Sequence, residues 1–300
     1  MIVITGASGR TGKRAAEVLL EKGEKVRVIG RDENKLSSLA KLGAEPVVAR
    51  IENVPQLTSA FEGADAVYLV LPEDLSQPDL RAHQDRISDC YSAAVAEARV
   101  PFVVNLSSMG AQHAAGTGPI VGLRNQERKL NEISGLNVLH MRAAYFMDNL
   151  FMSMGPLRET GTLPGGTPGD VKMPWIATRD IGAYAANRLA ARDFSGSSVH
   201  ELHGQRDISM NEAAAVVGKS IGRTDIKYAQ IPVPVLGAAL VQMGLPAKTA
   251  DLIAEMWNGA NAGLMQPLEQ RSARNTTPTS IEAFVAEVFA PAFLAGNPAR

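Results

Sequence analysis

The residues of this chain best placed to do chemistry are Thr5-Gly6-Ala7-Ser8-Gly9-Arg10-Thr11-Gly12. They stand between an apolar, β-branched run at 2–5 and an amphipathic stretch at 11–22. A strand that turns directly into a helix needs glycine in three places: where the backbone bends tightly, where it approaches a pyrophosphate, and where helix packs on strand. Gly6, Gly9 and Gly12 fill those roles. The helix start then offers free N–H groups and a positive dipole end to phosphate oxygens, so Ala7, Ser8, Arg10 and Thr11 belong to the same candidate cradle.

A second signal follows at the expected distance. In NAD sites an Asp or Glu about 20 residues past the loop accepts from the ribose 2′-OH. Here the second strand ends in Gly30-Arg31. Glycine leaves room, Arg31 supplies a planar fork suited to a 2′-phosphate, and Lys35 one helical turn on is a second cation. The competing reading has Asp32 accepting the ribose hydroxyls, but Asp32 opens a helix and has a sufficient role as its N-cap. NADP(H) is expected in preference to NAD(H).

These groups must be held by the elements around them. β-Branched runs at 2–5, 25–29, 46–49, 66–70, 102–106 and 137–141 alternate with helical patterns at 11–22, 33–42, 55–61, 79–98 and 120–133. Ala66-Val67-Tyr68-Leu69-Val70 is apolar at consecutive positions, as a strand buried on both faces requires. The fold class is therefore α/β, a Rossmann-type doubly wound parallel sheet with ligands at the carboxyl ends of its strands. The stretch 161–169 is too rich in Gly and Pro for regular structure and is expected as a loop or lid. A helix at 179–191 and a strand at 198–202 return to the sheet, and helices at 210–221, 234–244, 247–257 and 280–289 form a smaller lobe. The expected division is an NAD(P)-binding unit of residues 1–150, with 175–205 returning to it, and a substrate or partner lobe of 151–174 and 206–300.

Composition excludes several classes. The 300 residues are 45% hydrophobic and 20% charged, and 30 Lys plus Arg against 31 Asp plus Glu leave a net charge of −1. Such a chain is ordered, and no basic excess supports general nucleic-acid binding. No apolar run approaches the roughly 20 residues of a membrane span. Met1 leads straight into the first strand without a cationic n-region, so no signal peptide is expected and the localisation expected is cytoplasmic. Cys90, the single cysteine, lies beside the apolar stripe of Leu80, Ile87, Tyr91 and Ala94 and is expected as a core thiol. His200 and His203 are placed on opposite faces of a strand, and no metal site is expected.

Taken together the chain resembles the NmrA-like proteins, an atypical branch of the short-chain dehydrogenase/reductase superfamily, over nearly its whole length. The resemblance is carried by the Gly6, Gly9 and Gly12 loop, Val28-Ile29-Gly30-Arg31-Asp32, Asn105-Leu106-Ser107-Ser108-Met109-Gly110-Ala111 and Ser134-Gly135-Leu136. The stretch 142–149 and Met173-Pro174-Trp175-Ile176-Ala177-Thr178-Arg179-Asp180-Ile181-Gly182 complete it. It implies that Arg31 and Lys35 approach the adenosine 2′-phosphate. It also implies dinucleotide contacts from Leu71 and Pro72 after the fourth strand, and from Tyr145 and Phe146 near the nicotinamide. Arg50 departs from a family Asp near the adenine, and Trp175 is a packing landmark.

Reductases of the wider superfamily protonate a carbonyl oxygen with a Tyr whose pKa is lowered by a Lys four residues on, helped by a Ser at a strand end. The resemblance puts Ser107 and Ser108 in the Ser region, Arg124 at the Lys position and Ile120 at the Tyr position. Arg124 can hold the nicotinamide ribose, but a guanidinium does not give up its proton and so cannot relay one. Two activities survive this loss. One is hydride transfer from NADPH to a quinone-like or other small conjugated acceptor, whose aromatic anion needs little help from an acid. Tyr145 and His113 are then the candidate proton donors, and Phe146, Met147, Phe151, Met152 and Met154 an apolar entry for a small hydrophobic substrate. The other is a non-catalytic NADP(H) sensor that acts through a protein partner. Asp180, ahead of Ile181-Gly182, is expected as a helix N-cap.

Overall fold

In the computed structural model, which describes residues 1–296, the first half alternates strand and helix. Its elements are β1 (Ile2–Ile4), α1 (Arg10–Glu21), β2 (Val26–Gly30), α2 (Glu33–Lys41), β3 (Glu45–Val48) and α3 (Val54–Phe61). They continue with β4 (Ala66–Val70), α4 (Leu80–Glu97), β5 (Phe102–Ser108), α5 (Ile120–Asn131) and β6 (Asn137–Ala143). Every strand and helix expected there is present, with ends shifted by one or two residues. Residues 297–300 of the expected C-terminal lobe lie outside the described residues.

The second half is more broken. After β7 (Tyr145–Phe146) come a 3-10 helix over Met147–Ser153, α6 (Met154–Thr160), β8 (Thr162–Gly165), β9 (Met173–Ile176), α7 (Thr178–Ala191) and β10 (Ser197–Leu202). Then follow β11 (Asp207–Ile208), α8 (Met210–Ser220), β12 (Lys227–Gln230), α9 (Val233–Gln242) and α10 (Ala247–Asn261). The described chain closes with α11 (Ile281–Phe284), a π-helical turn over Val285–Phe289 and α12 (Ala290–Leu294).

Seven strands form one sheet in the order β10-β6-β5-β4-β1-β2-β3. All its pairings are parallel. α1, α2 and α7 cover one face through Leu19, Leu36 and Leu189, and α3, α4 and α5 cover the other through Phe61, Ile87 and Leu130. Both faces are thus buried, which is why the central strands are apolar at consecutive positions. The strand order reverses between β1 and β4, the place where a parallel sheet of this kind forms its ligand crevice at the carboxyl ends. Thr5 closes its floor: its Oγ1 donates to the Tyr68 carbonyl at 2.9 Å and accepts from the Val70 amide at 3.0 Å. A third apolar cluster gathers Leu157, Trp175, Val217, Phe284 and Phe289 from the second half.

Three expectations are corrected. Residues 161–169 are not all loop, because Thr162–Gly165 pairs in parallel with β12. A partner more than 60 residues away supplies the hydrogen bonds that local composition argues against. Asp180 is not an N-cap: Ala177 holds that position. The Asp180 carboxylate, in the first turn of α7, accepts instead from the Thr279 amide at 3.0 Å and the Thr279 hydroxyl at 2.7 Å, anchoring the C-terminal segment. Cys90 is only half-buried rather than in the core, and desolvation pushes its thiol pKa up. No helix among the described residues is long and apolar enough to cross a membrane.

Candidate functional site

The loop after β1 is built around its glycines. Gly6 has φ +60°, and a Cβ there would lie 3.2 Å from Val70 Cβ. A Cβ on Gly12 would lie 2.3 Å from the Gly6 carbonyl oxygen, so the helix cannot approach its own strand with any side chain at 12. Gly9 caps α1 without a side chain, and no side chain satisfies the first-turn N–H groups. Ser8 and Gly9 are exposed at the mouth, while Ala7 and Thr11 are buried beneath it. A cradle of bare backbone amides, closed to any added Cβ, fits a dinucleotide pyrophosphate.

The adenosine end is marked by charge. Arg31, Arg50, Glu52 and Asn53 line one groove beyond the ends of β2 and β3. Arg31 and Arg50 are exposed, and neither guanidinium has an ion pair among the described residues. Asp32 caps α2, accepting from the Asn34 amide at 2.9 Å, in the role expected of it. Lys35 is exposed on α2 and does not line the groove. Gly30 is also needed for packing, since a Cβ there would lie 3.0 Å from Leu36 Cδ2.

Around the ends of β4, β5 and β6 the candidate side chains converge on different partners. Leu71 is buried and Pro72 half-buried behind β4. Ser107 Oγ donates to Glu127 Oε1 at 2.6 Å, and Arg142 grips the same carboxylate at 3.0 and 2.6 Å through Nε and Nη2. Ser108 Oγ donates to the Met109 carbonyl at 2.9 Å. Arg124, on the helix that carries Glu127, is half-buried and has no hydrogen bond or ion pair among the described residues. Below these lies a buried polar chain: Gln126 donates to Asn105 at 2.5 Å, Asn105 Nδ2 to His140 Nδ1 at 3.1 Å, and His140 Nε2 to Asn131 at 2.9 Å. Burial, with Arg142 nearby, lowers the His140 pKa to about 4 against the opposing charge of Glu127.

Tyr145 packs edge-on to Trp175, ring centroids 4.7 Å apart. β7 pairs with β9 to make that contact. Burial pushes the Tyr145 phenol up to about 12, opposed by a hydrogen bond with Asn149. Phe146 packs half-buried against the main core. His113 sits in the turn after β5 with its Nε2 3.2 Å from Gln112 Nε2. That turn is held from above by Glu255 of α10, which accepts from the Gly116 amide at 2.7 Å. His200 bonds Tyr184 and His203 lies 3.3 Å from Glu201, so the two histidines serve separate partners.

A sequence profile of the NmrA-like family matches residues 1–285. The chain belongs to the NmrA-like family. Its relatives include quinone oxidoreductase 2 of Escherichia coli, 29% identical over 268 residues that cover 88% of this chain and 89% of the relative. The NAD(P)H azoreductase of Xenophilus azovorans is 26% identical over 260 residues, 86% of each chain. Among solved structures, an NADPH-dependent quinone oxidoreductase from Escherichia coli in complex with NADPH superposes with a TM-score of 0.79. It has 25% identity over 96% of this chain and 100% of that one.

Two features of this NmrA-like chain escaped the sequence reading: the Glu127–Arg142 pair that holds Ser107, and Asp148. The latter is buried and accepts from the Thr178 amide at 3.1 Å and hydroxyl at 2.8 Å. For Asp148 the sequence signal available was a carboxylate inside the apolar stretch 145–152, which once buried demands a partner, whereas Glu127 sits in a polar helical run and carried no such signal.

Proposed function

We propose that this protein is an NADPH-dependent oxidoreductase that passes hydride to a quinone-like or other small conjugated acceptor. Membership of the family, and relatives named for quinone and azo reduction, support the reaction class. The groove with two unpaired guanidiniums, Arg31 and Arg50, supports NADP(H) over NAD(H). Bound at the 6–12 loop, the reduced nicotinamide supplies the hydride. The backbone of Gly6, Ala7, Ser8, Gly9, Thr11 and Gly12 holds the pyrophosphate, Arg124 the nicotinamide ribose, and Leu71, Pro72 and Phe146 wall the ring.

One observation carries the choice of acceptor. The Ser107 proton is committed to the Glu127 carboxylate at 2.6 Å and the Ser108 proton to a carbonyl at 2.9 Å. Neither hydroxyl is then a donor for an alkoxide forming on a simple carbonyl, and the family resemblance puts Ile120 and Arg124 at the positions of the Tyr-Lys pair. A reduced quinone spreads its charge over an aromatic ring and needs no such donor. Tyr145, raised to about 12, remains protonated throughout the working range and acts as wall and hydrogen-bond donor. Proton transfer from Tyr145 to a phenolate product of ordinary pKa, about 10, runs uphill, which favours solvent or the turn that carries His113 as the source of the last proton. In this reading residues 1–150 with 175–205 bind the dinucleotide, and 151–174 with the part after 206 close over the acceptor.

Calorimetric titration with NADPH and NADH, followed by the near-ultraviolet absorbance of NADPH with a panel of small quinones, tests the proposal. Quinone-dependent oxidation is the expected result. Tight NADPH binding without turnover on any conjugated acceptor would assign the chain instead to dinucleotide sensing.

A further inference from the structure

Arg10 occupies the first helical position of α1, inside the 6–12 loop, and its side chain meets residues of the second half of the chain. Its Nε lies 3.5 Å from Asp148 Oδ1, and its guanidinium carbon lies 5.0 Å from the centroid of the Phe151 ring. Asp148 is 6% exposed and is held on its other sides by the Thr178 amide and hydroxyl. Among the described residues Arg10 is the one cation paired with it. Phe151 in turn meets Phe284 and Phe289, with ring centroids 6.3 and 5.6 Å away. A single side chain thus links the phosphate loop to the 3-10 helix Met147–Ser153 and, through Phe151, to the C-terminal helices. A buried carboxylate deprived of its cation is costly, so Asp148 has a strong claim on where Arg10 stays.

We propose that Arg10 is a positioning residue that couples occupancy of the 6–12 loop to the ordering of Met147–Ser153, the segment directly following Tyr145 and Phe146. The inference rests on the reading of the loop as a dinucleotide site. A phosphate at the start of α1 fixes the Gly9-Arg10 backbone. The fixed backbone holds the guanidinium between Asp148 and Phe151, and the segment carrying both loses freedom. Because coupling between sites is reciprocal, an ordered Met147–Ser153 also tightens the loop's hold on the dinucleotide. Filling the cofactor side thereby favours the ordered form of the acceptor side.

Amide hydrogen exchange over 147–153 in the full-length protein, with and without saturating NADPH, reads the coupling directly, and calorimetry supplies the dissociation constants. In the wild type NADPH slows exchange there by about fivefold or more. Arg10→Met and Asp148→Asn lose most of that slowing while still binding NADPH, and Arg10→Lys keeps it. Asp148→Asn preserves an acceptor for Thr178, so it decides the matter if Arg10→Met folds poorly. Slowing retained in both variants at saturation overturns the proposal, and if it comes with a steep rise in Kd for Arg10→Met, it marks Arg10 as a phosphate ligand. Wild-type protein that binds NADPH without slowing over 147–153 overturns the coupling alone. Failure to bind NADPH overturns the dinucleotide reading as well.

Discussion

The hydroxyl of Ser107 lies 2.6 Å from Glu127 Oε1, and it is the donor in that contact. The carboxylate is closed on its other side by Arg142, with side-chain exposures of 7% and 11% for the pair. β5, α5 and β6 are therefore stitched together at the end of the sheet where the acceptor is proposed to lie. Glu127→Gln strands the Arg142 guanidinium in a dry site and is expected to cost about 3–5 kcal/mol in urea denaturation. Ser107→Ala removes one hydrogen bond to a charged group, worth about 1.5–3 kcal/mol. Its quinone turnover is expected to stay within about tenfold of wild type, whereas loss of an oxyanion donor costs about a hundredfold or more. A loss of that larger size would return Ser107 to the role it has in carbonyl reductases.

The groove beyond β2 and β3 gives a second measurable asymmetry. Arg31→Ala is expected to weaken NADPH by about tenfold or more and NADH by less than about threefold, the loss of a charge-assisted contact made only to the 2′-phosphate. Arg50→Ala should move the same ratio in the same direction, since Arg50 lines the same groove, and Lys35→Ala should move it less. Calorimetry on both nucleotides checks this. Equal losses for NADPH and NADH would remove Arg31 from discrimination.

How much of this was legible in the sequence follows from the range of each interaction. The glycine loop and the Asp32 cap depend on residues within a few positions of one another, and the six strands of the first half, though paired at long range, are marked by local apolar and β-branched runs, so local pattern suffices to place them. The pairing of Thr162–Gly165 with β12, the bond of Asp180 to Thr279 and the contact of Arg10 with Asp148 each join residues 60 or more apart. Composition at 161–169 argued against a strand because β-propensity measures fit to a neighbour, and the neighbour lies far along the chain. The phosphate motif around Arg10 fixes the backbone of a loop, and its spacing says nothing of the tertiary partners, Asp148 and Phe151, that the long side chain also finds.

His140 ties stability to pH. It is buried, accepts from Asn105 and donates to Asn131, an arrangement that needs the neutral ring. Desolvation holds its pKa near about 4 in the folded state, against an ordinary 6.5 in the unfolded chain. Above 6.5 both states are neutral and nothing is lost. As pH falls from 6.5 to about 4 the unfolded chain takes up a proton that the folded protein refuses, and stability drops by roughly 3 kcal/mol. Urea denaturation across this window should show that loss in the wild type and a shallower slope in His140→Gln. Identical slopes would mean that other groups carry the acid sensitivity.

Tyr145 makes the opposite prediction about rate. A reductase Tyr primed by a neighbouring Lys has a lowered pKa and leaves a basic limb in the pH–rate profile. Tyr145 is moved the other way, to about 12, by burial beside Trp175, with only a hydrogen bond to Asn149 opposing it. Its phenol stays protonated up to and beyond about pH 10, where an unperturbed tyrosine would titrate. Quinone turnover should therefore show no ionisation of Tyr145 between about pH 6 and pH 9.5. Tyr145→Phe should keep turnover within about tenfold of wild type and express its loss chiefly in the acceptor KM, as removal of a wall and hydrogen-bond donor does. A basic limb that vanishes in Tyr145→Phe, together with a hundredfold fall in kcat, would instead make this phenol the proton donor and reopen simple carbonyls as substrates.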